Sequence, residues 1–180
     1  MKSETLAHKL GTTVHLSPLL MKARRLGLRG VGDLCALAVR RGCGHYRQGT
    51  ESEGPLTSET EFSNEELALA LLSIAGPYDP HAIRCGAAML GALDNNPRAI
   101  ATLAQRERGE QVVRYVAECG RSFEPDNAFW TELLRLLPVT PPPKAGVLPH
   151  PTRFVAMNGY ERGVGQKITT EWQRPRGNAA

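Results

Sequence analysis

Residues 63–91 read SNEELALALLSIAGPYDPHAIRCGAAMLG, and this stretch decides the class of fold. Ser63 followed three positions later by Glu66 is a capping box, in which each side chain satisfies an orphan amide of the first turn. Leu67, Ala68, Leu71 and Leu72 then recur at helical spacing. Gly76-Pro77 breaks that helix, and Asp79 before Pro80 starts another, carried by Ile83, Ala87 and Leu90 toward Leu93. Gly86, Ala87, Ala88 and Gly91 are small enough to let a neighbouring helix come close. Two capped, apolar-sided segments joined by a short breaker predict a helical pair.

The same punctuation extends in both directions. Upstream, Ser17 caps and Pro18 fits the first helical position of a segment sided by Leu19, Leu20, Ala23 and Leu26. Gly27 stops it. A short turn, Leu28-Arg29-Gly30-Val31-Gly32, leads to a second helix with Asp33 as its cap and Leu34, Leu37 and Ala38 inward, ended by Gly42 and Gly44. Downstream, Asn95-Asn96-Pro97 starts a segment through Ile100, Leu103 and Ala104. The polar run 106–110 interrupts it, and Val112, Val113, Tyr115, Val116 and Cys119 resume the pattern, as one kinked helix or two short ones. A last helix is expected from Pro125 to Pro138, with Phe129 on the inward Leu133–Leu137 side and Trp130 left at an edge as an interface residue, or both rings inward if the helix is buried on more than one side.

Residues 139–149 contain Pro141-Pro142-Pro143 and must run extended. Beyond them, 153–157 and 167–172 are suited to pair as a β-hairpin around 158–166, and such a hairpin needs a body or partner to lie on. The reading is mainly α: an irregular bundle of about six or seven short helices with a Pro-rich arm and a C-terminal β-hairpin. It divides the chain into a basic helical hairpin region (1–45), an acidic, polar, flexible linker (46–62), a helical core (63–137), and the arm with its hairpin (138–180). No segment copies another at a fixed period, which excludes a solenoid.

Composition bounds the function class. The chain has 180 residues, 41% hydrophobic and 22% charged, enough for one substantial core without a disulfide or metal. No apolar run approaches the length of a membrane span, so no membrane is expected as partner. The four cysteines, 35, 43, 85 and 119, form no CxxC pair and are expected as reduced thiols in a cytoplasmic protein.

The net charge of +4 conceals a pattern. Residues 1–50 carry nine Lys or Arg against Glu4 and Asp33, residues 51–80 carry seven acids and no base, and residues 138–180 carry six bases against two acids. Basic ends brought together would make one electropositive face for an anionic partner. Within the first, the turn Leu28-Arg29-Gly30-Val31-Gly32 resembles the glycine hairpin of helix-hairpin-helix DNA-binding motifs. The resemblance implies backbone phosphate contact at Gly30 and Gly32, beside Arg29, with Arg24, Arg25, Arg40 and Arg41 around it. Asp33 runs against this, since it adds negative charge where phosphate should approach, and a plain helical corner is the weightier reading. The turn assigns no family. In the hairpin tract NGYERGVGQK, Arg162 and Lys167 are further candidates for a nucleic-acid backbone. Its glycines fit neither a P-loop nor a dinucleotide fingerprint.

Catalytic chemistry finds less support. Glu107 and Glu110 share a helical face, but Arg106, Arg108 and Arg114 make a solvated, ion-paired face the simpler account. His81 and Cys85 lie four apart on one helix, and with Cys43 and His45 would complete a Cys2His2 zinc set. The spacing is weak, and buried Cys85 and Cys119 read more simply as core residues. No cofactor, metal or catalytic residue is therefore assigned. The expected function is that of a small basic accessory protein binding the phosphate backbone of DNA or RNA without strong sequence specificity. The alternative is a non-catalytic protein-interaction subunit, whose partner surface would include Trp130, Phe154 and Trp172 on the last helix and C-terminal arm.

Overall fold

A computed structural model describes residues 3–49, 54–158 and 169–177. Among them are eight α-helices and one two-stranded sheet, so the fold is mainly α with a C-terminal hairpin, as the sequence suggests. The helices are α1 (Leu6–Leu10), α2 (Pro18–Arg25), α3 (Val31–Arg40), α4 (Asn64–Leu71), α5 (Pro80–Leu90), α6 (Pro97–Arg106), α7 (Glu110–Phe123) and α8 (Ala128–Leu136).

Their starts are chemical. Ser17, Ser63, Asp79 and Asn96 each accept a backbone N–H of the first turn, and the Ser63–Glu66 box closes in both directions. The last helix starts later than Pro125 suggests, because Asn127 supplies the cap and accepts from the Phe129 N–H. The interrupted segment resolves into two helices, α6 and α7, with Arg108 in the left-handed region at φ 55° between them.

Helix α4 is the centre of the bundle. Leu67 to Leu72 are all buried, and α2, α3, α5 and α6 pack around them. The closest approach is to α5, where a Cβ on Gly86 would lie 2.7 Å from Leu72 Cγ. Gly86 is thus needed for this contact, whereas the small size of Gly91 makes room for the Trp172 indole. Helices α6 and α7 pack on α8. One buried cluster runs through the whole, from Leu6 to Trp172.

Strands β1 (Val155–Asn158) and β2 (Thr169–Trp172) pair antiparallel, with Val155 opposite Trp172 and Asn158 opposite Thr169. The hairpin is anchored by Trp172, whose indole N–H donates to Ala87 O at 3.2 Å. The Trp172 ring lies 4.9 Å from Trp130 and 5.6 Å from Phe154, centroid to centroid. After it, Arg174 donates to Gly91 O and to the Glu124 carboxylate, and the Arg176 N–H donates to Gly42 O. Three tyrosines fix the arm ahead of the hairpin. The hydroxyls of Tyr78, Tyr115 and Tyr46 donate to the carbonyls of Val147, Pro149 and Arg153 at 2.7, 2.7 and 3.3 Å.

This packing corrects the expected partner surface. Trp130, Phe154 and Trp172 are 0%, 1% and 1% exposed; they meet one another, and none is presented to a partner. Trp130 is the inward ring of α8 and Phe129 the half-buried one, the reverse of the expected assignment. The hairpin covers the side of α8 that the helical stripe alone leaves open.

Candidate functional site

The N-terminal half of α5 carries the chemistry. Asp79 Oδ1 accepts from the N–H groups of His81 and Ala82 at 2.9 and 3.3 Å, which fixes the first turn. His81 and Cys85 then fall on one face, as four-residue spacing requires, with Nε2 and Sγ 3.7 Å apart. Helix α3 crosses that face and delivers Cys35. The Sγ atoms of Cys35 and Cys85 and a ring nitrogen of His81 all lie within 4.8 Å of one another. Of the Cys2His2 set considered from the sequence, only His81 and Cys85 belong to this group. Cys43 points its thiol at Met89 Sδ, 3.4 Å away, and the His45 ring packs on Tyr46 at 4.4 Å. The residue the sequence reading missed is Cys35, which only the packing of α3 on α5 brings in.

Cys43 and Cys85 are fully buried. A hydrogen bond with Cys35, reinforced by burial, holds the Cys85 thiol far above the usual thiol range, and burial pushes Cys43 up to about 12. These thiols are therefore poor free nucleophiles. The cluster is not sealed, however: Cys35 and His81 line an open cleft of about 460 Å³, together with Val31, Asp33, Gln48 and Asp79.

His81 also borders a second cleft, of about 430 Å³, whose walls include Arg47, Arg84, Arg153, His45 and Gln173. Arg84 and Arg153 continue into an adjoining cleft of about 520 Å³ with Tyr78, Tyr115 and His150. Neither is lined by a carboxylate among the described residues. The guanidinium of Arg84 lies over the Tyr46 ring at 5.8 Å. Those of Arg47, Arg84 and Arg153 make no salt bridge among the described residues. Burial, then the nearby Arg176, pushes the His45 imidazole below its ordinary value, so it stays neutral at neutral pH while the arginines carry the charge.

Of the basic residues singled out in the sequence, Arg24 and Arg29 line a smaller cleft of about 80 Å³ with Gly30, and its wall also holds the Asp79 carboxylate. Arg24, Arg25 and Arg29 are exposed. Arg40 and Arg41 are half-buried and spend hydrogen bonds within the chain: Arg40 donates to Pro55 O, and Arg41 donates to Thr57 O and Asn64 Oδ1. Around the turn, Gly30 is the N-cap of α3 and Gly32 lies within its first turn. The Arg29 N–H, a donor the helix-hairpin-helix resemblance offers to phosphate, is taken by Asp33 Oδ2 at 2.9 Å. Arg162 and Lys167 lie outside the described residues.

Glu107 is misplaced by the solvated-face reading. It is 7% exposed, and its carboxylate accepts from Ser17 Oγ and from the Leu19 N–H. It caps α2 from a distant part of the chain.

No family model, curated protein or solved structure matches this chain. The functional reading therefore rests on the site. Among the described residues, no helix is long and apolar enough to cross a membrane.

Proposed function

We propose that the protein binds the phosphate backbone of a nucleic acid, through the paired clefts that share Arg84 and Arg153. The observation that carries this reading is three arginines without a carboxylate partner, lining clefts without an acidic wall among the described residues. Guanidinium groups gathered around a cleft focus a positive field that attracts phosphate; Arg84 is half-buried, and Arg47 and Arg153 are exposed at the rim. Arg84 and Arg153 stand on different elements, a helix and the arm, so they reach one ligand from two directions. The tyrosine hydroxyls that pin the arm keep that spacing fixed. Backbone contact of this kind carries no base information, in keeping with binding that is weakly sequence-specific.

The test is fluorescence-anisotropy binding to short single- and double-stranded DNA and RNA across a salt series. Arg84→Glu with Arg153→Glu should lower affinity at least about tenfold and flatten the salt slope. Arg24→Glu with Arg25→Glu, on the exposed end of α2, should have the smaller effect. The reverse ranking would move the site to α2, and absence of binding by the wild-type chain at low salt would reject the nucleic-acid reading altogether.

A further inference from the structure

We infer that Cys35, His81 and Cys85 form a binding site for a single zinc ion, with one coordination position left facing the cleft beside α3. The donor set is two thiols and an imidazole, the soft and borderline ligands that zinc selects over magnesium or calcium. Zinc bond lengths of about 2.3 Å to sulfur and about 2.0 Å to nitrogen put tetrahedral ligand atoms roughly 3.5–3.8 Å apart. The 3.7 Å between Cys85 Sγ and His81 Nε2 already has that value, and all three donors lie within 4.8 Å. Small side-chain rotations suffice to close the set.

Three further observations favour a site over a chance core cluster. First, the ligands stand on two packed helices, α3 and α5, and the Asp79 cap holds the turn that bears His81. Second, an ion has a way in, because Cys35 and His81 both line the open cleft. Third, the Cys119 thiol offers a contrast within the same protein: it is buried too, yet belongs to no such group. Binding exchanges two thiol protons, released to solvent, for two zinc–sulfur bonds, while His81 coordinates as neutral imidazole. Three protein ligands would leave the fourth position, facing the cleft, to water or another small ligand, unlike closed four-ligand structural sites.

The site shares His81 with the wall of the arginine-lined cleft, but its test does not depend on nucleic-acid binding. The purified, reduced, metal-free full chain is titrated with cobalt(II), followed by zinc(II), and read by absorption. One equivalent of cobalt should give thiolate charge-transfer bands in the near ultraviolet and the visible bands of a four-coordinate ion, both erased by one equivalent of zinc. Cys35→Ser and His81→Ala should each weaken zinc binding about 100-fold or more, and Cys119→Ser should leave it unchanged. Cys35 and His81 are chosen because they border the cleft, whereas Cys85→Ser, fully buried, risks the fold. Far-UV circular dichroism of each variant confirms that the helices persist. Absence of thiolate bands at stoichiometric cobalt overturns the site, as does their persistence in Cys35→Ser and His81→Ala or their equal loss in Cys119→Ser.

Discussion

Glu107 Oε1 accepts from the Leu19 N–H at 3.0 Å across 88 residues of sequence, while its other oxygen takes the Ser17 hydroxyl. The start of α2 is thus built by the loop between α6 and α7. Glu107→Ala leaves two donors without their acceptor in a buried setting. Such a loss costs about 2–4 kcal/mol, and the variant is expected to show that fall in urea-unfolding free energy. Glu107→Gln retains one carbonyl acceptor and should lose less. Equal stability of wild type and Glu107→Ala would mean that the cap adds nothing to α2.

The contrast between α2 and α5 shows what the sequence discloses. The caps of α2, α4, α5 and α6 are legible because each is a local signal, one polar side chain and the next turn. The close contact of α4 with α5 is legible for a similar reason, since small residues such as Gly86 let a neighbouring helix come close. Glu107 is not legible: its neighbours Arg106 and Arg108 give it the look of a solvated ion pair, and its true partners are far away in sequence. Cys35 is hidden in the same manner, because only the crossing of α3 over α5 brings it to His81. Trp130 is misjudged because the helical stripe describes one inward side, while α8 has a second cover, the hairpin.

Gly120 and Gly32 should respond oppositely to alanine. A Cβ on Gly120 would overlap the Trp130 ring system, and a rigid indole in a packed core cannot yield. Overpacking of this sort costs about 1–3 kcal/mol, visible as a lowered melting temperature. At Gly32 a Cβ meets nothing within 4 Å and the backbone is helical. Gly32→Ala should therefore stabilise by about 0.4–1 kcal/mol through the unfolded state. Destabilisation by Gly32→Ala would show that this turn has a constraint beyond an ordinary helix start.

Trp172 is the hinge pin of the C-terminal hairpin. Trp172→Phe loses the hydrogen bond to Ala87 O and part of the ring contact with Trp130, while keeping an aromatic at the site. Trp172→Ala empties the site altogether, at about 3–5 kcal/mol. Hydrogen exchange should then show early loss of protection in β1 and β2, with α4 still protected, because α4 is packed on four other helices. Protection lost uniformly in both would place the hairpin in the same cooperative unit as the bundle centre.

Acid should act through Glu124. Burial pushes its carboxyl upward, but hydrogen bonds from Arg174, Trp130 and Asn127 outweigh that and hold it below the ordinary value of 4.5. The sign follows from linkage. A carboxyl whose value is lower in the folded state than in the unfolded one contributes stability that is fully present above 4.5 and lost as pH falls through the folded value. Arg174 and Glu124 are both largely shielded, at 17% and 19% side-chain exposure, so the pair is not a solvent-screened surface bridge. Glu124→Gln should be less stable than wild type by roughly 2 kcal/mol at pH 7. The gap should narrow as pH falls through the folded value, which lies below the ordinary one, because the wild-type carboxyl then becomes neutral as well. Urea unfolding of both proteins at pH 7 and near pH 3 measures it. A gap that stays constant between the two would show that the Glu124 charge adds nothing and that only the shape of the side chain matters to the strap from Trp172 to Arg176.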